Sequence, residues 1–532
     1  MSEDSGTPGS PTQPVAPPTP SEPVRRQTGA AVTAFISASA LILALGTYEF
    51  MILPMQRELD LTVDQANATN LIPAAASLLV VFASSGLSDR FGYRRLLLIG
   101  SALYAIGALM VALAPGYVLV VSGRALGGLG GATMGVVGLA MVNTIFTDPA
   151  RRAKAFAAFA ALIPAVSFVF PPVGAYLTEH VSWRAVPLLW MALGALAFVL
   201  SLVFVPRSFG SVGGGQELVT PVIAGVILAG VALAATIATS DILYAVLLLA
   251  VSAVALLAIV LLRKLRNMRG LDLRLMRSPG VWAVIWAIVL LSGANLYFFT
   301  SLLLQYRFDD PITFIAIIMC IPEAAALVGC FVSGWAASRY GALITAAVCI
   351  LLAGLGALLS VTVGATATIY HPVAILTLVA APSAAAVGPL TQTFMDLAPH
   401  DGSSAPAAMR DALQSLGSNL GGIIAGTVGL IAFARYTTGA LVDAGLDPSR
   451  ANEVAYGILD GTHVNELAKE PWMPAHVADL IAGSRLILHT GQSVAYWAAC
   501  LAASAMCFIA AVLMFRFARR HPTIGEIGRA HV

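Results

Sequence analysis

Long apolar runs recur along nearly the whole chain, and they restrict the possible folds more than any other feature of the sequence. Each run has roughly 20 to 28 residues, and about 20 apolar residues in a helix cross the hydrocarbon core of a bilayer. In chain order, the runs lie at about 29–54, 66–87, 95–114, 117–142, 155–178, 184–206, 219–239, 241–263, 280–305, 312–337, 342–364, 371–396, 408–435 and 489–515. The sequence therefore predicts an all-α polytopic membrane protein with about 14 transmembrane helices.

The composition excludes several other classes of protein. Of the 532 residues, 58% are hydrophobic and only 11% are charged, whereas about 25% of the residues of soluble proteins are charged. The runs are too long and too uniformly apolar for the alternating strands of a membrane barrel. A net charge of +2 provides no strongly basic surface, so we expect no nucleic-acid partner. The five cysteines fall inside apolar runs without metal-ligand spacing, and we expect neither a metal nor a cofactor.

The distribution of arginine and lysine predicts the orientation of the chain in the membrane. With the amino terminus placed in the cytoplasm, 21 basic residues lie on the cytoplasmic side and seven on the outer side. The positive-inside rule favours this placement, and an even number of helices then puts both termini in the cytoplasm. Only three of the 29 basic residues are lysines, a bias that indicates a GC-rich genome and a bacterial cytoplasmic (inner) membrane.

The segment between the second and third runs carries the most specific motif. Residues 86–98 read GLSDRFGYRRLLL, and this segment resembles the G-x-L-a-D-R-x-G-R-K-x-x-L loop of the major facilitator superfamily. Residues 338–341, after the tenth run, repeat part of that pattern as Ser-Arg-Tyr-Gly. The resemblance implies a conformational latch formed by Gly86, Asp89, Arg90, Gly92, Arg94, Arg95 and Arg339.

The resemblance also implies a division of the chain into two six-helix halves related by an axis along the membrane normal. Fourteen runs then leave an inserted helix pair, as in the fourteen-helix branch of the drug:proton antiporters. The expected parts are a disordered cytoplasmic tail (1–28), an N-terminal half (29–206), a flexible connector (207–217), the inserted pair (218–264), a basic cytoplasmic linker (265–279), a C-terminal half (280–519) that includes an extracellular loop (436–487), and a cytoplasmic tail (520–532).

The fourth and fifth runs carry shorter matches to the same family. In the fourth run, Arg124 is the only basic residue deep in an apolar run, and Gly127 stands where the family pattern has glutamine. We weigh a role in proton coupling for Arg124 against a purely structural one. In the fifth run, Pro171, Pro172 and Gly174 keep part of the antiporter signature and are expected to bend the helix and shape a gate.

Two acidic residues inside apolar runs are the candidates for proton coupling, together with Arg124. An ionised side chain in the middle of a membrane costs roughly 3 kcal/mol, so Glu49 in the first run and Glu323 in the tenth are functional candidates by default. The alternatives are that Glu49 extends to the outer interface and that Glu323 is paired locally.

Polar and aromatic residues in the runs predict the lining of a substrate cavity. Aromatic rings suit an apolar or cationic substrate, and polar groups fix its orientation. Each of these side chains has helix packing as its alternative role. The candidates are Tyr48, Asn143, Tyr297, Phe298, Gln305, Gln392, Gln414 and Asn419.

The resemblance implies a proton-coupled efflux antiporter that exports lipophilic or cationic drugs and related amphipathic compounds by alternating access. The expected partners are a small amphipathic substrate, protons and membrane lipids, and the expected state is a monomer. A lipid or metabolite exporter and a nutrient symporter on the same fold stay open as alternatives. An enzyme is not expected, because the histidines lie at run ends, loops or tails, and no nucleophile and base are suitably spaced.

Overall fold

The computed structural model describes residues 24–145, 149–206, 219–237, 242–265, 279–308, 310–397, 405–459, 464–483 and 485–520. Within these ranges the regular structure is helical and contains no strand. The helices are α1 (Val24–Glu58), α2 (Val63–Phe91), α3 (Tyr93–Ala112), α4 (Tyr117–Ile145), α5 (Pro149–His180), α6 (Ala185–Phe204), α7 (Val219–Ile237), α8 (Ile242–Leu265), α9 (Pro279–Gly293), α10 (Tyr297–Arg307), α11 (Ile312–Ile318), α12 (Cys320–Tyr340), α13 (Ala342–Leu358), α14 (Tyr370–Leu397), α15 (Ala405–Asp443), α16 (Pro448–Leu459), α17 (Val464–Leu467), α18 (Ala475–Ala478) and α19 (Leu486–Arg520).

Each predicted apolar run coincides with one helix or with two consecutive helices. Ten helical segments of the described ranges are long and apolar enough to cross a membrane, and three shorter apolar helices lie in α2, α7 and α8. The ninth run is interrupted between α9 and α10, where Asn295 Oδ1 accepts a hydrogen bond of 3.0 Å from the Tyr297 N–H. The tenth run is interrupted at Met319, between α11 and α12. The prediction of an all-α polytopic membrane protein is confirmed.

Two glycines make the same turn at corresponding places in the chain. Gly92 joins α2 to α3 with φ 84° and ψ 152°, and its N–H donates to the Ser88 carbonyl at 3.0 Å. Gly341 joins α12 to α13 with φ 91° and ψ 145°, and its N–H donates to the Ala337 carbonyl at 2.9 Å. Glycine adopts a positive φ without steric cost, so a single residue can reverse the chain between two helices. Each pair of helices is therefore joined through one glycine, without a longer loop. The repeated Arg-aromatic-Gly pattern therefore corresponds to a repeated structure.

The six helices α1–α6 pack into one group, and α9–α15 with α19 pack into a second. The N-terminal half has its core around residues such as Leu43, Met51 and Tyr104. The larger core of the C-terminal half also includes Phe50 of α1 and Ala175 of α5, so the two halves share apolar contacts. Between the halves, α5 packs against α11 and α12, α1 touches α10, and α2 packs against α15.

Helices α7 and α8, which correspond to the predicted inserted pair, lie at the edge of the bundle. Helix α7 packs along α2, and a Cβ at Gly225 would overlap the Leu79 carbonyl of α2. Helix α8 packs against α7 and exposes large apolar side chains along its length, among them Leu243, Val254 and Leu257. An exposed apolar face of this kind suits contact with lipid acyl chains.

The polar insertion between α15 and α19 has a small core of its own. Helix α15 continues to Asp443, beyond the predicted end of its apolar run, and three short helices α16–α18 follow. Their apolar side chains pack together around residues that include Leu441, Val454, Val477 and Ile481. The Arg450 guanidinium carbon lies 4.9 Å from the ring centroid of Trp472. The predicted loop 436–487 therefore contains short helices that pack on one another.

Most of the predicted tails and connectors lie outside the described residues. These are residues 1–23, 207–218, 266–278 and 521–532. Of the predicted tail 1–28, residues 24–28 belong to α1.

Candidate functional site

The two predicted acidic residues lie on opposite halves and approach each other where the halves meet. Glu49 is on α1, and Glu323 is in the first turn of α12. Their carboxyl groups are near enough to interact electrostatically, and both side chains are half-buried. The Glu49 Oε2 atom is buried and has no hydrogen-bond partner within the described residues. We call Glu49 and Glu323 the acidic pair.

Two predicted cavity residues of α10 are close to the acidic pair. Gln305 Nε2 donates to the Glu49 backbone carbonyl at 3.3 Å and to Ser301 Oγ at 2.9 Å. The first of these bonds joins the two halves. The phenol of Tyr297 is near enough to interact electrostatically with both carboxyl groups. The site thus combines two acids, an amide and a phenol at the junction of α1, α10 and α12.

The break between α11 and α12 explains why Glu323 occupies this position. Helix α12 begins at Cys320, and Pro322 fits its first turn because the N–H groups there have no acceptor within the helix. The Cys320 thiol donates to the Phe168 carbonyl of α5 at 3.2 Å, which holds the start of α12 against the N-terminal half. Glu323 lies three residues after Cys320, in the same first turn of α12.

The predicted bend residues of α5 lie against α1. The stretch of α1 that they contact is close to Glu49 in the sequence. A Cβ at Gly174 would lie 2.9 Å from Thr47 Cβ, and Gly46 faces Pro171. Trp190 Nε1 donates to Thr47 Oγ1 at 2.8 Å, which fixes the same stretch of α1 from the side of α6. Pro172 is half-buried beside Pro171. The absence of a side chain at Gly174 therefore permits the close contact between α5 and α1.

Arg124 belongs to a different set of residues, inside the N-terminal half. Its Nε donates to the Thr69 carbonyl at 3.1 Å, and its guanidinium carbon lies 3.9 Å from the ring centroid of Tyr48. Tyr48 is fully buried, and its hydroxyl is hydrogen-bonded to Thr69 Oγ1. Successive residues of a helix point about 100° apart, so Tyr48 faces the core of its own half while Glu49 faces the other half. The structure does not bring Tyr48 or Arg124 into the acidic site.

The remaining predicted cavity residues are dispersed. Phe298 lies edge-on to Phe299 with ring centroids 5.8 Å apart. Asn419 of α15 is buried, and its Nδ2 donates to the Ser415 carbonyl of the same helix at 2.8 Å. Gln392 is exposed on α14, and Gln414 is half-buried on α15. Asn143 lies near the end of α4, and its side chain is outside what the structure describes.

The residues of the predicted latch lie at the two glycine turns, Arg339 beside Gly341 and the others around Gly92. Arg94 Nη2 donates to the Leu202 carbonyl at 2.8 Å, and this carbonyl lies in the last turn of α6, where no helical N–H is available to it. Arg95 is exposed at the start of α3. Arg339 is exposed, and its guanidinium carbon lies 5.9 Å from the Trp335 ring centroid. Gly86, Asp89 and Arg90 lie in the last turns of α2, and their side chains are outside the described part of the chain.

The structure reveals a second buried arginine that the sequence did not single out. Arg307, at the end of α10, is buried, and its Nη1 donates to Ser493 Oγ of α19 at 3.0 Å. Its Nη2 donates to the Gly364 carbonyl at 2.8 Å and to the Ala365 carbonyl. Arg307 lies at the end of an apolar run, where the sequence predicts an exposed loop residue. Nothing in the local sequence indicates its partners, which are distant along the chain.

Several known proteins resemble part of this chain. Multidrug efflux pump LfrA of Mycolicibacterium smegmatis is 41% identical over 133 residues, which are 25% of this chain and 26% of that protein. Multidrug resistance protein Stp of Mycobacterium tuberculosis is 30% identical over 128 residues, 24% of each chain. Puromycin resistance protein pur8 of Streptomyces alboniger is 32% identical over 152 residues, 28% of this chain and 30% of that protein. The matched segments thus span less than a third of the length of these relatives.

A family model covers far more of the sequence. The model of the Major Facilitator Superfamily matches residues 30–426, about three quarters of the chain. The matched region begins in α1 and ends within α15, so it includes both glycine turns and both members of the acidic pair. A match of this extent shows that the chain belongs to the Major Facilitator Superfamily, a family of membrane carriers.

Proposed function

We propose that this protein is a proton-coupled efflux transporter that exports lipophilic or cationic compounds, drugs among them, by alternating access. The observation that carries the proposal is the acidic pair, with Glu49 on one half and Glu323 on the other. The names of the similar proteins, which are multidrug efflux pumps and resistance proteins, support the substrate class.

The chemistry of the acidic pair suits the exchange of a proton for a cation. An apolar environment favours the neutral form of a carboxyl group, and two neighbouring carboxylates repel each other. The closed junction therefore favours a protonated pair, and opening the junction to water favours ionisation. A cationic substrate replaces the lost proton as the partner of the charge. Because the two acids belong to different halves, the movement of the halves changes the environment of both.

The orientation and the latch complete the proposal. We place the protein in the cytoplasmic membrane with both termini in the cytoplasm, because the excess of arginine then lies inside. The Gly92 turn with Arg94, Arg95, Asp89 and Arg90, and its counterpart at Gly341 with Arg339, are then on the cytoplasmic side. There we expect them to restrain one conformation. The alternatives on this fold are export of a lipid or metabolite and uptake of a nutrient by symport.

Reconstituted proteoliposomes with an imposed pH gradient test the direction and the coupling. With ethidium as a lipophilic cation, we expect accumulation when the lumen is acidic and none when the lumen is alkaline. A symporter gives the reverse dependence. If ethidium is not transported in either gradient while another compound is still exchanged, the substrate belongs to a different chemical class.

The Glu49→Gln variant tests the role of the acidic pair. The amide keeps the shape of the side chain but holds no exchangeable charge, so we expect loss of accumulation driven by the pH gradient. Exchange of labelled for unlabelled ethidium without a gradient should continue. Glu453→Gln, a substitution of an exposed acid on α16, is the matched control and should accumulate ethidium normally. Normal accumulation by Glu49→Gln would remove Glu49 from the coupling mechanism.

A further inference from the structure

A small cavity lies inside the N-terminal half, apart from the acidic pair. Its wall includes Arg124, Gly127, Gly128, Tyr104, Trp190 and Pro73. The space has room for about one water-sized molecule. It is far too small for a drug. Most of the wall is apolar, and Arg124 is its charged member.

The space exists because Gly127 has no side chain. A Cβ built on Gly127 has no heavy atom within 4 Å, whereas a Cβ on the adjacent Gly128 would overlap the backbone of Pro73. The family pattern that this helix resembles has glutamine in place of Gly127. This chain therefore lacks an amide group where the pattern would put one, one helical turn from Arg124.

The guanidinium of Arg124 has more donors than the surrounding residues accept. Of its five N–H groups, the Nε–H donates to the Thr69 carbonyl at 3.1 Å, and the Nη2 atom is buried without a partner among the described residues. The ion pairs within the described residues, Arg184 with Glu58 and Arg410 with Asp411, do not involve it. A buried cation with unmatched donors is costly.

The polar groups nearest to Arg124 are directed elsewhere. The Tyr48 ring covers one face of the guanidinium, and its hydroxyl is bonded to Thr69. The Tyr104 hydroxyl donates to the Ala40 carbonyl at 2.6 Å, and Trp190 Nε1 donates to Thr47. Among the described residues no group accepts a hydrogen bond from the Arg124 Nη2 atom, and the cavity is the space beside it that is open to an acceptor.

We propose that this cavity binds one small hydrogen-bond acceptor, a water molecule or a halide ion, against the Arg124 guanidinium. The acceptor takes the place of the missing side chain at Gly127. The size of the space restricts the ligand to a single small species, and the charge of Arg124 favours one that accepts hydrogen bonds.

The Gly127→Ala and Gly127→Ser variants of the full-length protein test the proposal by the sign of the change in melting temperature. In an empty space, alanine stabilises, because it favours the helix more than glycine does. In an occupied space, the methyl group displaces the acceptor, and we expect the melting temperature to fall by about 2 °C or more. Serine supplies its own oxygen, so Gly127→Ser should stay close to the wild type.

The matched control is Gly135→Ala, because Gly135 is on the same helix and a Cβ there also has no heavy atom within 4 Å. We expect this control to raise the melting temperature slightly. A rise for Gly127→Ala like that of the control would overturn the proposal, and so would an equal fall for alanine and serine.

Replacing chloride by gluconate at constant ionic strength separates the two sources of the acceptor. A bound halide stabilises the folded state in proportion to its occupancy, so the melting temperature of the wild type would rise with chloride. Gly127→Ser would then lose this dependence. If Gly127→Ala falls and chloride has no effect on the wild type, the acceptor is water.

Discussion

The Glu179 carboxylate of α5 accepts a hydrogen bond of 2.9 Å from the backbone N–H of Thr313, in the first turn of α11. This N–H has no acceptor within its own helix, so the carboxylate supplies one from the other half of the protein. Together with the bond from Gln305 to the Glu49 carbonyl, it closes the junction on the side where α5 ends and α11 begins.

Removing this contact is expected to favour opening of the junction. Glu179→Ala should increase the open population roughly fivefold, which corresponds to about 1 kcal/mol for one exposed hydrogen bond. Electron spin resonance distances between labels at Val181 and Asp310, which are both exposed, measure that population. His180→Ala is the control, because the His180 ring is bonded to Tyr176 of its own helix. An unchanged distance distribution in Glu179→Ala would show that the bond does not hold the junction closed.

Glu58 is expected to stabilise the N-terminal half mainly through Trp183. The buried Trp183 ring donates its Nε1–H to Glu58 Oε2 at 2.7 Å, and Arg184 pairs with the other carboxylate oxygen. Glu58→Ala leaves the indole N–H without its acceptor, which costs about 1–3 kcal/mol. Glu58→Gln keeps an acceptor oxygen and should retain most of the stability. Thermal unfolding measures both variants, and equal losses would assign the effect to the charge instead.

Adjacent glycines on α15 are expected to respond oppositely to alanine. A Cβ at Gly421 would overlap Gly293 of α9, whereas a Cβ at Gly422 has no heavy atom within 4 Å. Gly421→Ala should separate α9 from α15 and cost about 1–3 kcal/mol, as overpacking commonly does. Gly422→Ala should be neutral or stabilising by up to about 1 kcal/mol. Melting temperatures in the same detergent compare the two, and similar values would contradict the close contact.

The two glycine turns are expected to be equally intolerant of a side chain. An L-residue at φ 84° and ψ 152°, or at φ 91° and ψ 145°, costs about 1–3 kcal/mol, so Gly92→Ala and Gly341→Ala should each lower stability by about that amount. Gly334→Ala, elsewhere on α12 and without a heavy atom within 4 Å of a Cβ, provides the control. Circular dichroism during heating measures the difference. A turn that tolerates alanine as well as Gly334 does would not depend on its positive φ.

The positions of the helices could be predicted from the sequence because the bilayer restricts them so strongly. Backbone groups in lipid need internal hydrogen bonds, so each long apolar run has to be helical. The same rule does not predict where a span is interrupted. The breaks at Asn295 and Met319 depend on local bonds, and the resulting start of α12 brings Glu323 to the junction.

The directions of individual side chains were less predictable. Tyr48 and Glu49 are neighbours in the sequence, and the sequence predicts a place in the functional site for both. The structure turns Tyr48 inward against Arg124, and only Glu49 reaches the other half. Arg307 shows the same limit, because its partners Ser493 and Gly364 lie on distant segments of the chain. Pairings of this kind depend on tertiary packing, which one sequence does not report.

The packed insertion between α15 and α19 offers a practical advantage for imaging. Small transporters give particle images with few landmarks, because detergent or lipid surrounds most of their mass. An antibody fragment raised against α16 would bind a folded epitope, because the buried side chain of Val454 packs this helix against the small core of the insertion. Such a fragment would move with the ends of two spans, and would therefore also mark the tilt of the C-terminal half in each image.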